Sequence, residues 1–292
     1  MFRGTITAMI TPFTEGRVDE ARLRENVAWQ IDQGVAGLVP CGTTGESPTL
    51  SHEEHERVVE VVVDAADGRV PVIAGAGSNS TAEALRLSRH AKSVGAAATL
   101  QVNPYYNKPT QEGLYRHFAS VADQVDLPVV LYNIPGRSGV ATTPATVARL
   151  ADHENIVAIK EATGSMDSAS EIATLCGEKL TILSGDDSMT LPLMAIGGTG
   201  VISVVSNLLP ERVRALTDAA ENGDYDEARR LHRQLFAICR GMLALETNPI
   251  PIKTAMAMAG RDTGELRLPM CEMAEDNRAR LQALLREQGV IG

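Results

Sequence analysis

The sequence contains few aromatic residues and no excess of positive charge. Its 292 residues include four Phe, one Trp and five Tyr, so a core must be filled mainly by Val, Ile, Leu, Ala and Met. The 27 Lys and Arg are outnumbered by 37 Asp and Glu, and the net charge of −10 argues against nucleic acid or an anionic membrane as the main partner. The hydrophobic fraction of 44% and the charged fraction of 22% exclude global disorder.

The sequence also lacks the patterns of a zinc site, a signal peptide and a transmembrane helix. Its four cysteines, at positions 41, 176, 239 and 271, form no CxxC pair, which indicates reduced and mostly buried thiols. The apolar run within residues 1–10 is short and broken by threonines, and no stretch of about 18 apolar residues occurs. We therefore expect no metal, no membrane contact and a cytoplasmic location.

Short β-branched runs alternate with longer segments of helical spacing, which predicts βα units and a parallel sheet. The eight candidate strands are residues 5–10, 37–40, 70–74, 97–102, 128–132, 156–160, 180–183 and 200–204. Eight units with short connections favour a closed (β/α)8 TIM barrel over an open doubly wound sheet, and no GxGxxG turn follows the first strand. We predict a barrel over residues 1–223 and a helical extension, packed on it, over residues 224–292.

Polar residues collect where the candidate strands end. In a barrel of this kind the active site lies at the carboxyl ends of the strands. The segments at those ends are rich in Thr, Tyr, Asn, Asp and Gly, whereas the amino-terminal ends carry mostly Pro, Gly and apolar residues. This asymmetry predicts a functional site at the carboxyl end.

Lys160 is the most informative residue of that set. It ends a run that should be buried on both faces, and alternation places it on the same face as Ala158 and Ile156. If that face points into the barrel, an amine shielded from water can form a Schiff base with a carbonyl substrate. The alternative is a lysine that simply reaches solvent from a strand end.

Other polar side chains at the same end extend this hypothesis. Tyr132 ends the preceding strand and could move protons beside the Lys160 amine, with Thr43 passing them onward. Arg137 could hold a carboxylate with its bidentate fork or could be an ordinary surface arginine. Any one tyrosine, including Tyr105 and Tyr106, could instead be a wall residue with a satisfied hydroxyl.

Two histidines, His52 and His55, occur three residues apart on a candidate helix. They do not form an HExxH motif and no third ligand is evident, so we interpret them as solvated helix residues rather than a metal site. Ser51 should begin this helix, with Glu54 completing a capping box.

Several motifs of the chain are together similar to those of the pyruvate-dependent class I aldolase family. They are TPF at 11–13, GTTGE at 42–46, NPYYN at 103–107, YNIP at 132–135, IKEA at 159–162, LSGDD at 183–187, GVIS at 200–203 and NPIPIK at 248–253. The resemblance runs over nearly the whole chain and implies a (β/α)8 barrel with no metal or organic cofactor.

The resemblance also implies a role for individual residues. Lys160 would form the Schiff base with pyruvate, and Thr43 and Thr44 would bind the pyruvate carboxylate. A proton relay would consist of Tyr132, Thr43 and Tyr106, with Tyr106 supplied across a dimer interface. The carbonyls of Gly185 and Ile202 would line the pocket. The family usually forms homotetramers, as dimers of tight dimers.

Within the family, Arg137 separates two groups of enzymes. An arginine after the Tyr-Asn-x-Pro turn resembles the members that condense pyruvate with L-aspartate 4-semialdehyde, the first committed step of lysine biosynthesis through diaminopimelate, and Arg137 would bind the semialdehyde carboxylate. N-acetylneuraminate lyases and 2-keto-3-deoxy-sugar-acid aldolases, which generally lack this arginine, are the alternative. A catalytically silent, ligand-binding relative is the alternative outside enzymes.

The resemblance extends to a regulatory site for L-lysine at the tight-dimer interface. The residues that match lysine-sensitive members are Ser47, His52, His55, Asn79, Glu83 and Tyr105. Pro48 departs from the small residue that is common after Ser47. We expect feedback inhibition, with an altered backbone contact near Pro48.

Overall fold

Eight short parallel strands form a ring in the computed structural model, which describes residues 2–292. They are β1 Gly4–Ala8, β2 Gly37–Val39, β3 Ile73–Gly75, β4 Ala98–Val102, β5 Val129–Asn133, β6 Ile156–Glu161, β7 Thr181–Ser184 and β8 Gly200–Ser203. The strand order is β2-β1-β8-β7-β6-β5-β4-β3, and a parallel bridge between Leu38 and Val72 joins its two edges. The predicted TIM barrel is confirmed.

Eight helices cover the outside of the ring. They are α1 Glu20–Asp32, α2 His52–Ala66, α3 Thr81–Ser93, α4 Gln111–Gln124, α5 Pro144–Ala151, α6 Met166–Cys176, α7 Thr190–Ala195 and α8 Pro210–Glu221. Helix α2 begins as predicted, because Ser51 accepts from the Glu54 N–H and the Glu54 carboxylate accepts from the Ser51 N–H. The sequence did not reveal the hairpin of Phe13–Thr14 and Arg17–Val18 or the one-turn helix Pro135–Ser138.

Three further helices follow the eighth βα unit. They are α9 Tyr225–Ala244, α10 Ile250–Met258 and α11 Glu275–Glu287. Their apolar faces share one buried cluster with α8 and with Val204 and Val205 after β8. The apolar spacing of the sequence predicts a last helix over residues 270–288, which is wrong at its start: the helix begins at Glu275, and Met273 is buried in an irregular segment before it. The division of the chain after residue 223 into a barrel and a helical extension stays a prediction.

Apolar side chains form one layer inside the ring of strands and another outside it. Side chains such as Ile6, Val130 and Leu183 fill the barrel interior, and a larger cluster lies between the strands and the helices. The predicted alternation is correct for Ala158, which lies in the interior, but wrong for Ile156, which packs in the outer cluster. The cause is a register shift, since Val129 pairs with Ile156 while Val130 pairs with Ala158.

Asp262, which follows α10, gives a prediction about stability. Its carboxylate is buried, which raises its pKa from 3.8 to about 6, while Lys253 limits the rise. Because the folded pKa exceeds the unfolded one, the stabilisation is complete below pH 3.8 and is lost as pH rises through about 6. We expect Asp262→Asn to increase the free energy of unfolding by up to about 3 kcal/mol above roughly pH 7 and by little near pH 4. Thermal unfolding at the two pH values checks this, and equal shifts would contradict it.

Candidate active site

The Lys160 amine lies inside the barrel. Lys160 on β6 pairs in register with Tyr132 on β5 and Leu183 on β7, and both neighbours belong to the interior cluster. Its Nζ atom is 4.2 Å from the centre of the Tyr132 ring. Lys160 and Tyr132 are each only 5% exposed. Lys160 is therefore not a strand-end lysine that reaches solvent, and its nitrogen is placed where a carbonyl ligand inside the barrel could meet it.

Gly185 leaves room beside Lys160. A Cβ atom at this position would lie 2.6 Å from the Ala162 Cβ and 3.1 Å from the Lys160 Cγ. Any larger residue would therefore clash with Ala162 and crowd the lysine side chain. Ile202 on β8 is fully buried in the same interior. The structure thus brings these two predicted lining residues to the region around Lys160.

The turn after β2 carries the two predicted carboxylate-binding threonines. The Gly45 N–H donates to the Gly42 carbonyl at 3.1 Å, and the Glu46 N–H donates to the Thr43 carbonyl at 3.2 Å. Thr44 is buried, and its hydroxyl accepts from Asn248 Nδ2 at 3.1 Å. These bonds fix a compact turn whose hydroxyl and amide groups suit a carboxylate.

Arg137 lies on the one-turn helix that follows β5. Its Nη2 atom donates to the Asn248 carbonyl at 3.0 Å and to the Thr247 hydroxyl at 3.4 Å. Both contacts use Nη2, so Nε and Nη1 are available to a ligand. The segment 247–248 therefore orients the guanidinium, while Arg137 and Thr43 line the same cavity.

This cavity measures about 370 Å³ and joins two sets of predicted residues. Thr43 and Arg137 belong to the predicted substrate site. Lining residues from the predicted lysine site are Ser47, His52, His55, Glu83 and Tyr105, together with Pro48. Val102 and Ile134 also line the cavity and pack against the barrel interior. The other predicted substrate-site residues of the barrel are not among its lining residues, namely Lys160, Tyr132, Thr44, Gly185 and Ile202. Asn79 is not among the lining residues, but its Nδ2 donates to the Tyr105 carbonyl at 3.1 Å.

Glu83 places a negative charge among the cavity residues that were predicted to bind lysine. Its carboxylate accepts from Ser78 Oγ and contacts His52 Nε2 at 2.6 Å. These two hydrogen bonds hold the pKa of Glu83 below its usual range, so the carboxylate is ionised at neutral pH. Such a group suits an ammonium ligand.

The interpretation of two solvated histidines is correct for only one of them. His52 is exposed, whereas His55 is buried under the cavity wall. Burial lowers the pKa of His55 to about 4, so its ring is neutral at pH 7. The sequence could not reveal the difference in burial, because it places both histidines at the beginning of the same helix.

Tyr106 points away from the site of its own chain. Its side chain is 90% exposed, and its φ of 73° lies in the left-handed region that residues other than glycine seldom adopt. The neighbouring Tyr105 is 38% exposed, and burial raises its pKa. The single chain therefore does not bring Tyr106 to Lys160, and a role for it requires another subunit.

Two positioning groups could not be recognised from the sequence alone. Asn248 links Thr44 to Arg137 through its side chain and its carbonyl. The buried Asp187 carboxylate accepts from the N–H groups of Val204 and Val205 and from the Ser203 hydroxyl, which ties the end of β8 to the segment after β7. Asn248 belongs to the NPIPIK motif and Asp187 to the LSGDD motif, but neither motif shows which side chains these two residues contact in the fold.

Within residues 2–292, no three His, Cys, Asp or Glu side chains cluster so as to hold a metal ion. Over the same residues, no helix is both long and apolar enough to cross a membrane.

Comparisons with known proteins identify the family to which this fold belongs. The model of the "Dihydrodipicolinate synthetase family" matches residues 1–288. A 4-hydroxy-tetrahydrodipicolinate synthase of Pelobacter propionicus is 57% identical over 291 residues, which is 100% of each chain. A pyruvate-complexed dihydrodipicolinate synthase of Acinetobacter baumannii is 42% identical with a TM-score of 0.97 and 100% coverage of both chains. A lysine-bound enzyme of Cyanidioschyzon merolae is 37% identical with a TM-score of 0.96 and 99% coverage of both. The chain therefore belongs to the dihydrodipicolinate synthetase family.

Proposed function

We propose that this chain condenses pyruvate with L-aspartate 4-semialdehyde to 4-hydroxy-tetrahydrodipicolinate through a Schiff base on Lys160. The activity is the one for which the Pelobacter propionicus relative is named. The observation that carries the proposal is the Lys160 amine, buried in the barrel 4.2 Å from the Tyr132 ring. The reaction is the committed step toward lysine that the sequence analysis anticipated.

The first half of the reaction activates pyruvate. The Lys160 amine attacks the pyruvate ketone, the resulting carbinolamine loses water, and an imine forms. Thr43 and Thr44 bind the carboxylate, while the carbonyls of Gly185 and Ile202 line the pocket. Loss of a proton from the methyl carbon gives the enamine, with the imine itself as the electron sink. This chemistry needs no further cofactor.

The second half forms the carbon–carbon bond. The enamine carbon attacks the aldehyde of the semialdehyde, whose carboxylate is bound by Arg137, and the new alkoxide takes up a proton. The amino group of the substrate then attacks the imine carbon, releases the Lys160 amine and closes the ring. One water is lost overall, which balances the two substrates against the cyclic product.

The proton relay supplies a reason for subunit assembly. Tyr132 and Thr43 serve the relay from within the chain, and Tyr106 completes it from a neighbouring subunit. Support comes from the 90% exposure of Tyr106, which leaves the phenol free of contacts with its own barrel, and from its left-handed backbone. The homotetramer and the cytoplasmic location stay predictions.

Coupled turnover tests the proposed reaction against its alternatives. Purified enzyme should consume pyruvate only when L-aspartate 4-semialdehyde is supplied, and it should not cleave N-acetylneuraminate or 2-keto-3-deoxygluconate. Cleavage of a sugar acid without the semialdehyde reaction would establish the alternative within the family. Pyruvate binding with no turnover of any substrate would establish the silent relative.

L-lysine binding is proposed for the other side of the cavity. The ionised Glu83 carboxylate would pair with a lysine ammonium, and the lysine-bound relative supports this assignment. By calorimetry, we expect Glu83→Gln to weaken L-lysine binding about tenfold, since a charged hydrogen bond contributes roughly 1.5 kcal/mol or more. The exposed Glu53 on α2 provides a control, because it does not line the cavity and Glu53→Gln should therefore leave binding unchanged. No heat with the unaltered chain up to millimolar lysine would refute the regulatory site.

A further inference from the structure

A fully buried ion pair lies beneath the turn that carries Thr43 and Thr44. The Lys253 Nζ atom on α10 donates to Glu46 Oε1 at 2.7 Å and to the Thr11 carbonyl at 2.9 Å. The side chains of Lys253 and Glu46 are 0% and 1% exposed. The Lys253 Nζ atom also lies 4.2 Å from the centre of the Phe13 ring, so an aromatic ring covers one side of the ammonium. The pair therefore joins three segments that are remote in sequence.

Glu46 belongs to the turn itself. It follows Thr44 by two residues, and its N–H donates to the Thr43 carbonyl at 3.2 Å. Its φ of 53° is left-handed, a conformation that a residue with a side chain keeps only when its surroundings enforce it. The second carboxylate oxygen accepts from the Arg267 N–H at 3.2 Å. The position of this carboxylate therefore determines the path of the backbone beside Thr43.

Stability alone is a weak reason for this arrangement. Taking two charges out of water costs free energy, and an apolar pair of similar size often stabilises a fold equally well. A buried pair does impose one geometry, because the ammonium and the carboxylate must meet at hydrogen-bond distance. Five residues before Lys253, Asn248 donates to Thr44 and accepts from Arg137, so the same segment contacts the turn at a second point.

We propose that Lys253 and Glu46 are positioning residues that hold the Thr43–Thr44 turn in the conformation that binds the pyruvate carboxylate. The inference rests on the proposed function, since pyruvate is the ligand of the turn. Neither residue touches the substrate. Their removal should weaken pyruvate binding while leaving the chemistry at Lys160 nearly unchanged once pyruvate is saturating.

The double variant Glu46→Gln/Lys253→Met tests this directly. It removes both charges of the pair and nearly keeps both shapes, so neither Glu46 nor Lys253 is left as a buried charge without its partner. Borohydride trapping of the Lys160 adduct is measured as a function of pyruvate concentration. We expect the half-saturating pyruvate concentration to rise about tenfold, because a displaced turn would lose about one charge-assisted hydrogen bond to the pyruvate carboxylate. The trapping rate at saturating pyruvate should change by less than about threefold.

A matched control removes a buried polar pair elsewhere. Gln101 Nε2 donates to Ser88 Oγ at 2.9 Å between β4 and α3, so Gln101→Leu/Ser88→Ala should lower thermal stability without changing the pyruvate dependence. A folded double variant with the pyruvate dependence of the unaltered chain would overturn the inference. So would an equal shift in the control.

A second variant covers failure of the double variant to fold. Glu46→Asp keeps the charge but draws the carboxylate back by one methylene, so it should show the same direction of shift. An unchanged pyruvate dependence in Glu46→Asp would overturn the inference. If the unaltered chain forms no adduct at all, the proposed function fails as well. If an adduct forms and its pyruvate dependence is the same in the variants, only the inference about Lys253 and Glu46 fails.

Discussion

Lys160→Met is expected to reduce turnover of pyruvate and L-aspartate 4-semialdehyde by roughly a thousandfold or more, because it removes the nucleophile of a covalent mechanism. Methionine has a similar length and lacks the charge, so the barrel interior around Tyr132 and Leu183 should remain filled. The melting temperature should not fall. Steady-state kinetics and thermal unfolding of the same preparation check both expectations.

Lys179→Met is the matched control for Lys160→Met. Lys179 is exposed, pairs with Asp152 on the surface and is not among the residues that line the cavity. Its loss should leave turnover unchanged. Residual turnover above about a tenth of normal in Lys160→Met would show that the condensation proceeds without the Schiff base, and the mechanism would be wrong.

Arg137→Ala has the second largest expected effect. The kcat/KM for the semialdehyde should fall by about a hundredfold or more, because the variant loses a charged partner of the substrate carboxylate, a contribution of roughly 3 kcal/mol. Pyruvate trapping at Lys160 should stay nearly intact, since the proposed binding site for the pyruvate carboxylate is a different turn. Comparison of the two readouts in one preparation separates these effects.

A structural role for Arg137 would give another pattern. The guanidinium also donates to the Asn248 carbonyl, and Asn248 contacts Thr44, so the arginine could act through the pyruvate side. Equal loss of trapping and of turnover in Arg137→Ala would show that the residue is structural. Arg137→Lys keeps the charge without the bidentate fork and should recover only part of the semialdehyde kinetics.

The barrel could be predicted from the sequence because its signal is repeated eight times. Each strand is a short β-branched run and each helix has regular apolar spacing, so an error in one unit leaves the architecture unchanged. The errors arose where backbone geometry departs from regular spacing. Ile156 is displaced by a register shift, and the segment before α11 buries Met273 without forming a helix.

The site could be predicted in its residue types but not in its connections. Alternation and the family resemblance identified Lys160, Tyr132 and Arg137, because each follows or ends a recognisable strand. The continuity of the substrate and lysine sides in one cavity depends on distances between remote segments. The same holds for the contacts of Asn248 and for the buried pair of Lys253 and Glu46. No local pattern encodes such contacts.

The net charge of −10 bears on how the proposed substrates bind. Both proposed substrates are anions, so the overall field of the chain does not favour their approach. Their binding must depend on nearby positive or donor groups, which are Arg137, Lys160 and the turn at Thr43 and Thr44. Association should consequently respond more strongly to Arg137 than to substitutions among the surface acids.

Borohydride reduction in the presence of pyruvate, followed by mass spectrometry of the digested chain, tests the central claim most directly. The account predicts one carboxyethyl group, carried by the peptide that contains Lys160, and none when pyruvate is omitted. An unmodified Lys160, or a pyruvate adduct only on another lysine, would contradict it.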